Sequence, residues 1–445
     1  MRMMAADVAR AVDGELVGQN AHLDGATFDS RTLRPGQLFV PIVAVGDDGG
    51  SSGRDGHDFV ADALARGAGA YLTAREPVGR TAIRVPDTLA ALLALGRWAR
   101  TRLEAPLRGR VVGITGSVGK TGTKDLVAAA LGAGLRVHAS RRSFNNDQGL
   151  PTTILEAPDD AEALVLEMGM RGLGEIARLC AVGAPRVGIV TRIGSAHSAR
   201  VGGIEGVARA KGELVEALPA DGHAILNADD PRVAALRGRT RATTLTWGEA
   251  ADADVRMTRC EPGEGGAWRA EWATPWGAAA ATMPLPGRHV AHNAGAAIAA
   301  AGLLGVDVAA AAAALATAPM SPMRMQRRRT AAGAVVLDDT YNANPESMQA
   351  ALETLASLPA RRRVAVLGEM AEVDDPDGAH RGVADLARSL GIELVAVATP
   401  RYGTTPVGVA DAAALVAALG DGEAAVVKAS RAAGLDAVTR GLADA

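Results

Sequence analysis

The chain has 445 residues, 47 basic and 50 acidic side chains, a formal net charge of −3, and 48% hydrophobic against 22% charged residues. One hydrophobic core does not normally grow that large, so about two to four domains are expected. The composition excludes a disordered chain, and the near-neutral balance excludes a nucleic-acid partner held by bulk charge.

Residues 1–107 alternate short apolar runs, such as 37–43, with turn residues. The Gly-, Asp- and Ser-rich stretch that follows 37–43 reads as a mobile loop. Apolar residues at helical spacing predict a helix over 88–103. From residue 108 the pattern becomes strand, loop, helix, repeated, with strands expected at 111–115, 163–168, 187–193 and 224–227. Such alternation predicts a largely parallel sheet covered by helices. Polar alternation over 252–283 predicts an antiparallel insertion. The alanine-rich run 291–318 reads as a buried helix pair, because His292, Asn293 and Asp307 interrupt it and alanine supplies little apolar area for a membrane span.

From residue 319 a second doubly wound pattern begins, with strands expected at 335–337, 363–367, 394–398 and 424–427. The Pro- and Arg-rich junction 318–329 reads as a hinge. The expected fold is therefore α/β in three domains. These are a small N-terminal α/β domain over 1–107, a central parallel-sheet phosphate-loop domain over 108–318, and a C-terminal Rossmann-like domain over 319–445.

The strongest local signal is an apolar strand running into Gly116-Ser117-Val118-Gly119-Lys120-Thr121 and then into a helical pattern. Glycines let backbone N–H groups curl around phosphate oxygens, and the helix N-terminus adds free donors and partial positive charge. Lys120 would reach the terminal phosphates of a nucleotide, and Thr121 would touch Mg²⁺. The general motif asks for glycine where this chain has Ile114, so the loop is a shortened variant. Glu167 ends the next strand and is a candidate metal ligand, because open α/β sheets bind ligands at strand carboxyl ends and Mg²⁺ prefers oxygen donors. His197 follows a third strand and is a candidate for the same site.

Only four of the basic residues are lysine: Lys120, Lys124, Lys211 and Lys428. Lysine and arginine are not chemically equivalent, so in a chain that otherwise uses arginine each remaining lysine merits inspection. Lys211 lies in a helical segment and draws attention for that reason. The two cysteines, Cys180 and Cys260, cannot build a disulfide framework for this length and fit a reducing compartment. No apolar run with a small-residue cleavage site opens the chain, and the expected setting is the cytoplasm.

Taken in order, these motifs resemble the Mur ligase family over essentially the whole chain. The resemblance is carried by Phe28-Asp-Ser-Arg31, Asp55-Gly-His-Asp-Phe59, Thr115-Gly-Ser-Val-Gly-Lys-Thr121, Phe144-Asn-Asn146 with Gly149-Leu-Pro-Thr-Thr153, and Glu167-Met-Gly169 followed by Gly174-Glu-Ile176. Ile193-Gly-Ser-Ala-His197, Ala210-Lys-Gly-Glu-Leu214, Asn227-Ala-Asp-Asp-Pro231, Asp338-Asp-Thr-Tyr-Asn-Ala-Asn-Pro-Glu-Ser-Met348 and Leu367-Gly-Glu-Met-Ala-Glu372 continue it. Two of these segments are most similar to members that join D-alanyl-D-alanine to a UDP-N-acetylmuramoyl-tripeptide.

The resemblance implies an ATP- and Mg²⁺-dependent amide ligase acting through an acyl phosphate, monomeric, with small-molecule substrates. By similarity, Gly116, Ser117, Gly119 and Lys120 hold phosphates, and Thr121 and Glu167 hold one Mg²⁺. His197 stands near a second Mg²⁺. Lys211 matches a position that Mur ligases can carry as a carbamate, which requires a primary amine. Asn293 matches an adenine contact, Arg324 an arginine near the γ-phosphate, and Asp339 a ribose-binding aspartate. Ser30, Arg31, Asn145, Asn146, Thr152 and Thr153 match positions around the UDP-sugar substrate, and Tyr341 and Asn342 positions facing the dipeptide.

The chain departs from the family pattern at Gly122, Arg192, Val290, His292 and the segment 198–201, and its loop 46–54 is longer than expected. None of these removes a proposed phosphate or metal ligand. They leave a Mur-type ligase for a different acid and amine as the alternative. A non-catalytic nucleotide-binding module is disfavoured by the joint presence of Lys120, Thr121, Glu167, His197 and Lys211.

Overall fold

The computed structural model describes all residues except 46–50, 80, 142, 196–197, 264–266, 284 and 445. Three main sheets organise the described residues. The first has the strand order Glu15–Val17, Ala82–Arg84, Ala70–Thr73, Leu38–Phe39, Ala26–Thr27, with only the first pair antiparallel. The helix Thr88–Arg102 leaves this sheet and packs on the helix Gly149–Glu156, so closely that a Cβ at Gly96 would lie 2.6 Å from Pro151 Cβ. Leu92 and Leu95 from the former and Leu150 and Ile154 from the latter belong to one continuous apolar cluster.

The central sheet orders its strands Val137–Ala139, Ala163–Glu167, Val111–Thr115, Val187–Val190, His223–Asn227, Thr243–Gly248, all parallel. These strands are buried on both faces and rich in Val, Ile and Leu, as a helix-covered parallel sheet requires. Val255–Pro262, Trp268–Thr274 and Gly277–Met283 extend the same sheet, the last two pairings being antiparallel. The alanine-rich segment forms two helices, Arg288–Leu303 and Val308–Leu315. The first is buried along most of its length, because alanine lets it lie close against the phosphate-loop helix Lys120–Gly132. No described helix is long and apolar enough to cross a membrane.

The third sheet runs Glu393–Ala396, Arg362–Leu367, Glu423–Lys428, Val335–Asp339 in parallel, then Gln326–Arg329 and Ala443–Asp444 antiparallel at the edge. Apolar clusters lie on both of its faces.

Two expectations are corrected. The arginine-rich half of the junction is the strand Gln326–Arg329 and not a linker, because its backbone pairs with Val335–Asp339 on one side and with Ala443–Asp444 on the other. The stretch expected to be one mobile loop contains the strand Ser51–Asp55, paired with Val43–Val45, and a 3-10 turn Gly56–Phe59. Its remaining part, 46–50, lies outside the described residues.

Candidate active site

The carboxyl ends of the central parallel strands open into a cleft of about 950 Å³. Gly116 leaves the strand Val111–Thr115 with φ 150°, and a Cβ there would lie 1.9 Å from Thr191 Oγ1. Gly119 adopts φ 84° at the start of the helix Lys120–Gly132, and a Cβ there would lie 2.9 Å from Asn293 Nδ2. The loop therefore threads between the next strand and the alanine-rich helix along a path only glycine can take. No side chain caps the helix start, so its first N–H groups stay open to an anion.

Lys120 folds back so that Nζ donates to Gly116 O at 2.7 Å. Burial holds its ammonium below the usual lysine range, opposed by the Glu167 carboxylate and reinforced by the Arg324 cation. Thr121 Oγ1 donates to Glu167 Oε2 at 2.8 Å, and Asn145 Nδ2 donates to Glu167 Oε1 at 2.8 Å. Ser143 Oγ lies 3.0 Å from Thr121 Oγ1 and accepts from Arg324 Nη2 at 2.8 Å. The Arg324 guanidinium also lies 4.1 Å from the centre of the Tyr341 ring. Thr121, Ser143 and Glu167 thus gather hard oxygen donors at one point. Among the described residues there is no group of three or more His, Cys, Asp or Glu that could hold a metal. This donor set suits Mg²⁺, which keeps waters and phosphate oxygens and needs only one or two carboxylates.

Asp339 ends its strand with Oδ2 2.5 Å from Lys428 Nζ and Oδ1 accepting from Met325 N at 3.2 Å. Lys428 Nζ also donates to Asn342 O at 2.7 Å. Lys211, on the helix Ile204–Glu216, is 2% exposed and lines the same cleft. Burial, with a further contribution from the Lys120 charge, pushes its amine well below the usual lysine range. Among the described residues its Nζ makes no hydrogen bond or ion pair.

The cleft thus brings together Ser117, Gly119, Lys120, Thr121, Asn145, Asn146, Glu167, Lys211, Asn293, Arg324, Asp339, Tyr341 and Asn342. His197 lies outside the described residues. Four expected substrate residues are not brought to the cleft. Ser30 is buried in a 3-10 turn, and Arg31 forks onto Asp29 at the surface. Thr152 and Thr153 are 2% exposed, and their hydroxyls donate to Gln148 O and Gly149 O within their own helix. Both hydroxyls spend their proton within the helix and keep only acceptor capacity.

Sequence reasoning missed Ser143, Asn227, Asp229 and Glu346. Asn227 Nδ2 donates to Thr191 O at 2.8 Å, behind the phosphate loop. Its place at the end of a parallel strand was the available signal. Asp229 accepts from Glu249 N and Ala250 N and lies 2.7 Å from His292 Nε2. Glu346, far along the chain, accepts from Ser195 N at 2.9 Å and Ser195 Oγ at 3.1 Å. No local pattern announces that contact.

The Mur ligase middle domain family matches residues 114–301, and the Mur ligase, glutamate ligase domain family matches residues 323–445. A UDP-N-acetylmuramoyl-tripeptide--D-alanyl-D-alanine ligase of Mycobacterium tuberculosis is 37% identical over 93% of this chain and 91% of its own. A crystal structure of MurF from Acinetobacter baumannii superimposes with TM-score 0.86 at 27% identity, covering 99% of this chain and 98% of that one. MurF ligase from Thermotoga maritima in complex with ADP gives TM-score 0.77 at 27% identity over 94% and 96% of the two chains. With this likeness along nearly its full length, on the fold and cleft described above, the chain belongs to the Mur ligase family.

Proposed function

We infer that the chain is an ATP-dependent ligase that joins the amine of D-alanyl-D-alanine to the terminal carboxylate of a UDP-N-acetylmuramoyl-tripeptide, in peptidoglycan precursor synthesis. The observation that carries this reading is the single cleft into which phosphate loop, acidic strand end, buried lysine and third-domain arginine all project. The 37% identity over 93% of the chain to a ligase of that name favours these substrates over a different acid and amine. The ADP complex of the Thermotoga maritima enzyme supports ATP as the nucleotide. We take the enzyme to be a cytoplasmic monomer, with domains meeting near residues 107 and 318.

The reaction must bring a carboxylate against the γ-phosphate of ATP, two anions that repel. In this reading the backbone N–H groups of Gly116 and Gly119 and the ammonium of Lys120 receive the phosphates, with Ser117 in the same loop, its own N–H held by Arg192 O at 2.7 Å. The guanidinium of Arg324 flanks them from the other side. Those donors are held before the reaction begins, so little reorganisation opposes the transfer. Thr121 and Glu167 would hold Mg²⁺, with His197 near a second ion. The metal supplies charge neutralisation and polarises the transferred phosphoryl group. Asn293 faces the adenine and Asp339 the ribose. Asn145 and Asn146 lie toward the UDP-sugar, Tyr341 and Asn342 face the incoming dipeptide, and Ser30 and Arg31 would meet the UDP-sugar only if Arg31 leaves Asp29.

The carboxylate oxygen attacks phosphorus, ADP leaves, and the acyl phosphate forms. The dipeptide amine then adds to the acyl carbon, and the C–O bond to phosphate breaks. Lys211 carries the primary amine that a carbamate requires, and its burial disfavours the ammonium form. As a carbamate it would become an anion able to position the metal. If the tripeptide carboxylate is labelled with ¹⁸O, one labelled oxygen should appear in the released phosphate. Unlabelled phosphate, with product formed, would contradict the acyl-phosphate route.

A further inference from the structure

Two of the four lysines are assigned no contact with the reacting groups above, yet both are buried, Lys124 at 3% and Lys428 at 2% exposure. They sit in parallel arrangements. Lys124 Nζ lies 2.7 Å from Asp125 Oδ1, and the other oxygen of Asp125 accepts from Ser321 N at 2.8 Å. Lys428 Nζ lies 2.5 Å from Asp339 Oδ2, and the other oxygen of Asp339 accepts from Met325 N at 3.2 Å. Each lysine therefore fixes a carboxylate whose free oxygen grips one end of the same short connector between the central and third domains.

That connector needs holding. Met323 and Met325 adopt φ 59° and 55°, a left-handed conformation unfavourable for non-glycine residues. Met320 packs against the central core and Met325 is buried in the third-domain core, so the segment is anchored at both ends. Between the two grips stands Arg324, reaching Ser143 Oγ and lying over Tyr341. Lys124 also donates to Ser140 O at 2.7 Å, and Ser140 Oγ accepts from Glu167 N at 3.2 Å, so the same side chain touches the support of the acidic strand end. A longer, forked guanidinium in either enclosed position would have to displace these contacts, which explains why an arginine-rich chain keeps lysine there.

We propose that Lys124 and Lys428 are positioning residues that clamp the two ends of the interdomain connector, through Asp125 and Asp339, and thereby aim Arg324 into the cleft. The proposal rests on the reading of Arg324 as the cation beside the transferred phosphate.

Lys124→Met and Lys428→Met, each alone and each combined with Arg324→Ala, would be compared in the full chain for kcat and for ATP-analogue affinity. If the clamps act through Arg324, each single substitution lowers kcat at least about tenfold. Added to Arg324→Ala, it then costs no more than about twofold further. Losses that multiply, or a wild-type kcat in the single variants, would overturn the proposal. Arg324→Ala with wild-type kcat would instead overturn the underlying reading of the cleft. A measurement on the unmodified protein guards against variants that fail to fold. Amide exchange at Ser321 and Met325 should be slowed at least about a hundredfold relative to an open chain, and exchange at open-chain rates would refute the clamps.

Discussion

Thr121 Oγ1 and Glu167 Oε2 are joined at 2.8 Å, linking the first turn of the phosphate-loop helix to the end of the neighbouring strand. The two residues are held as a pair before any ligand arrives. Removing the charge of Glu167 while keeping its shape isolates the electrostatic part. Glu167→Gln should weaken Mg²⁺ dependence of the activity by roughly 10- to 100-fold, as for other residues that hold or orient a metal. Thr121→Ser, which retains the hydroxyl, should stay close to wild type. A Mg²⁺ titration of the rate checks both, and an unchanged titration for Glu167→Gln would remove it from the metal site.

Gly116 tests the phosphate loop by shape alone. Its added Cβ would fall 1.9 Å from Thr191 Oγ1, which is held in place by donating to Val118 O at 2.6 Å. Gly116→Ala should therefore abolish ATP-analogue binding. Thr191→Ala in the same chain should restore part of it by removing the colliding oxygen. Calorimetric titration of the two variants distinguishes this from a general loss of fold.

Lys211→Ala should lose most activity, and short carboxylic acids should restore part of it by standing in for a carbamate. Lys211→Arg should stay inactive even with added acid, because a guanidinium neither forms a carbamate nor leaves room for one. Activity in Lys211→Arg would contradict the need for an amine at this position.

His138 predicts an acid-sensitive stability. Its imidazole is pushed down to about 4, chiefly by burial, partly offset by a hydrogen bond to Thr153 O. The unfolded chain takes up the proton near pH 6.5, while the folded chain resists until near pH 4. Stability contributed by the neutral ring is thus intact above about pH 6.5 and is lost progressively as pH falls toward 4, by about 3 kcal/mol at most. Urea unfolding at pH 7 and pH 5 should show this loss in the wild type and a smaller one in His138→Gln.

Much of this architecture is written in local pattern. The phosphate-loop strand begins and ends where expected, because Val111, Val112 and Ile114 supply a buried aliphatic run and Gly116, at φ 150°, turns the chain out of it. The helices Arg288–Leu303 and Val308–Leu315 were legible because their many alanines favour helix and close packing. What escaped notice depended on distant partners. Gln326–Arg329 reads as a charged linker, and it becomes a strand because Val335–Asp339 and Ala443–Asp444 supply pairing on both sides. Thr152 and Thr153 lie in the expected motif, and that their hydroxyl protons go to carbonyls one turn back is visible only in the structure. Lysine scarcity drew the eye to Lys120 and Lys211, while Lys124 and Lys428 became intelligible only with Ser321 and Met325 placed beside their carboxylate partners.

The most direct test of the central claim is a coupled ligation assay. ATP, UDP-N-acetylmuramoyl-tripeptide and D-alanyl-D-alanine should yield ADP, phosphate and the UDP-linked pentapeptide in equal amounts, with either the lysine- or the diaminopimelate-containing tripeptide. Protein that is folded and binds ATP, yet forms no pentapeptide from either tripeptide, would contradict the account.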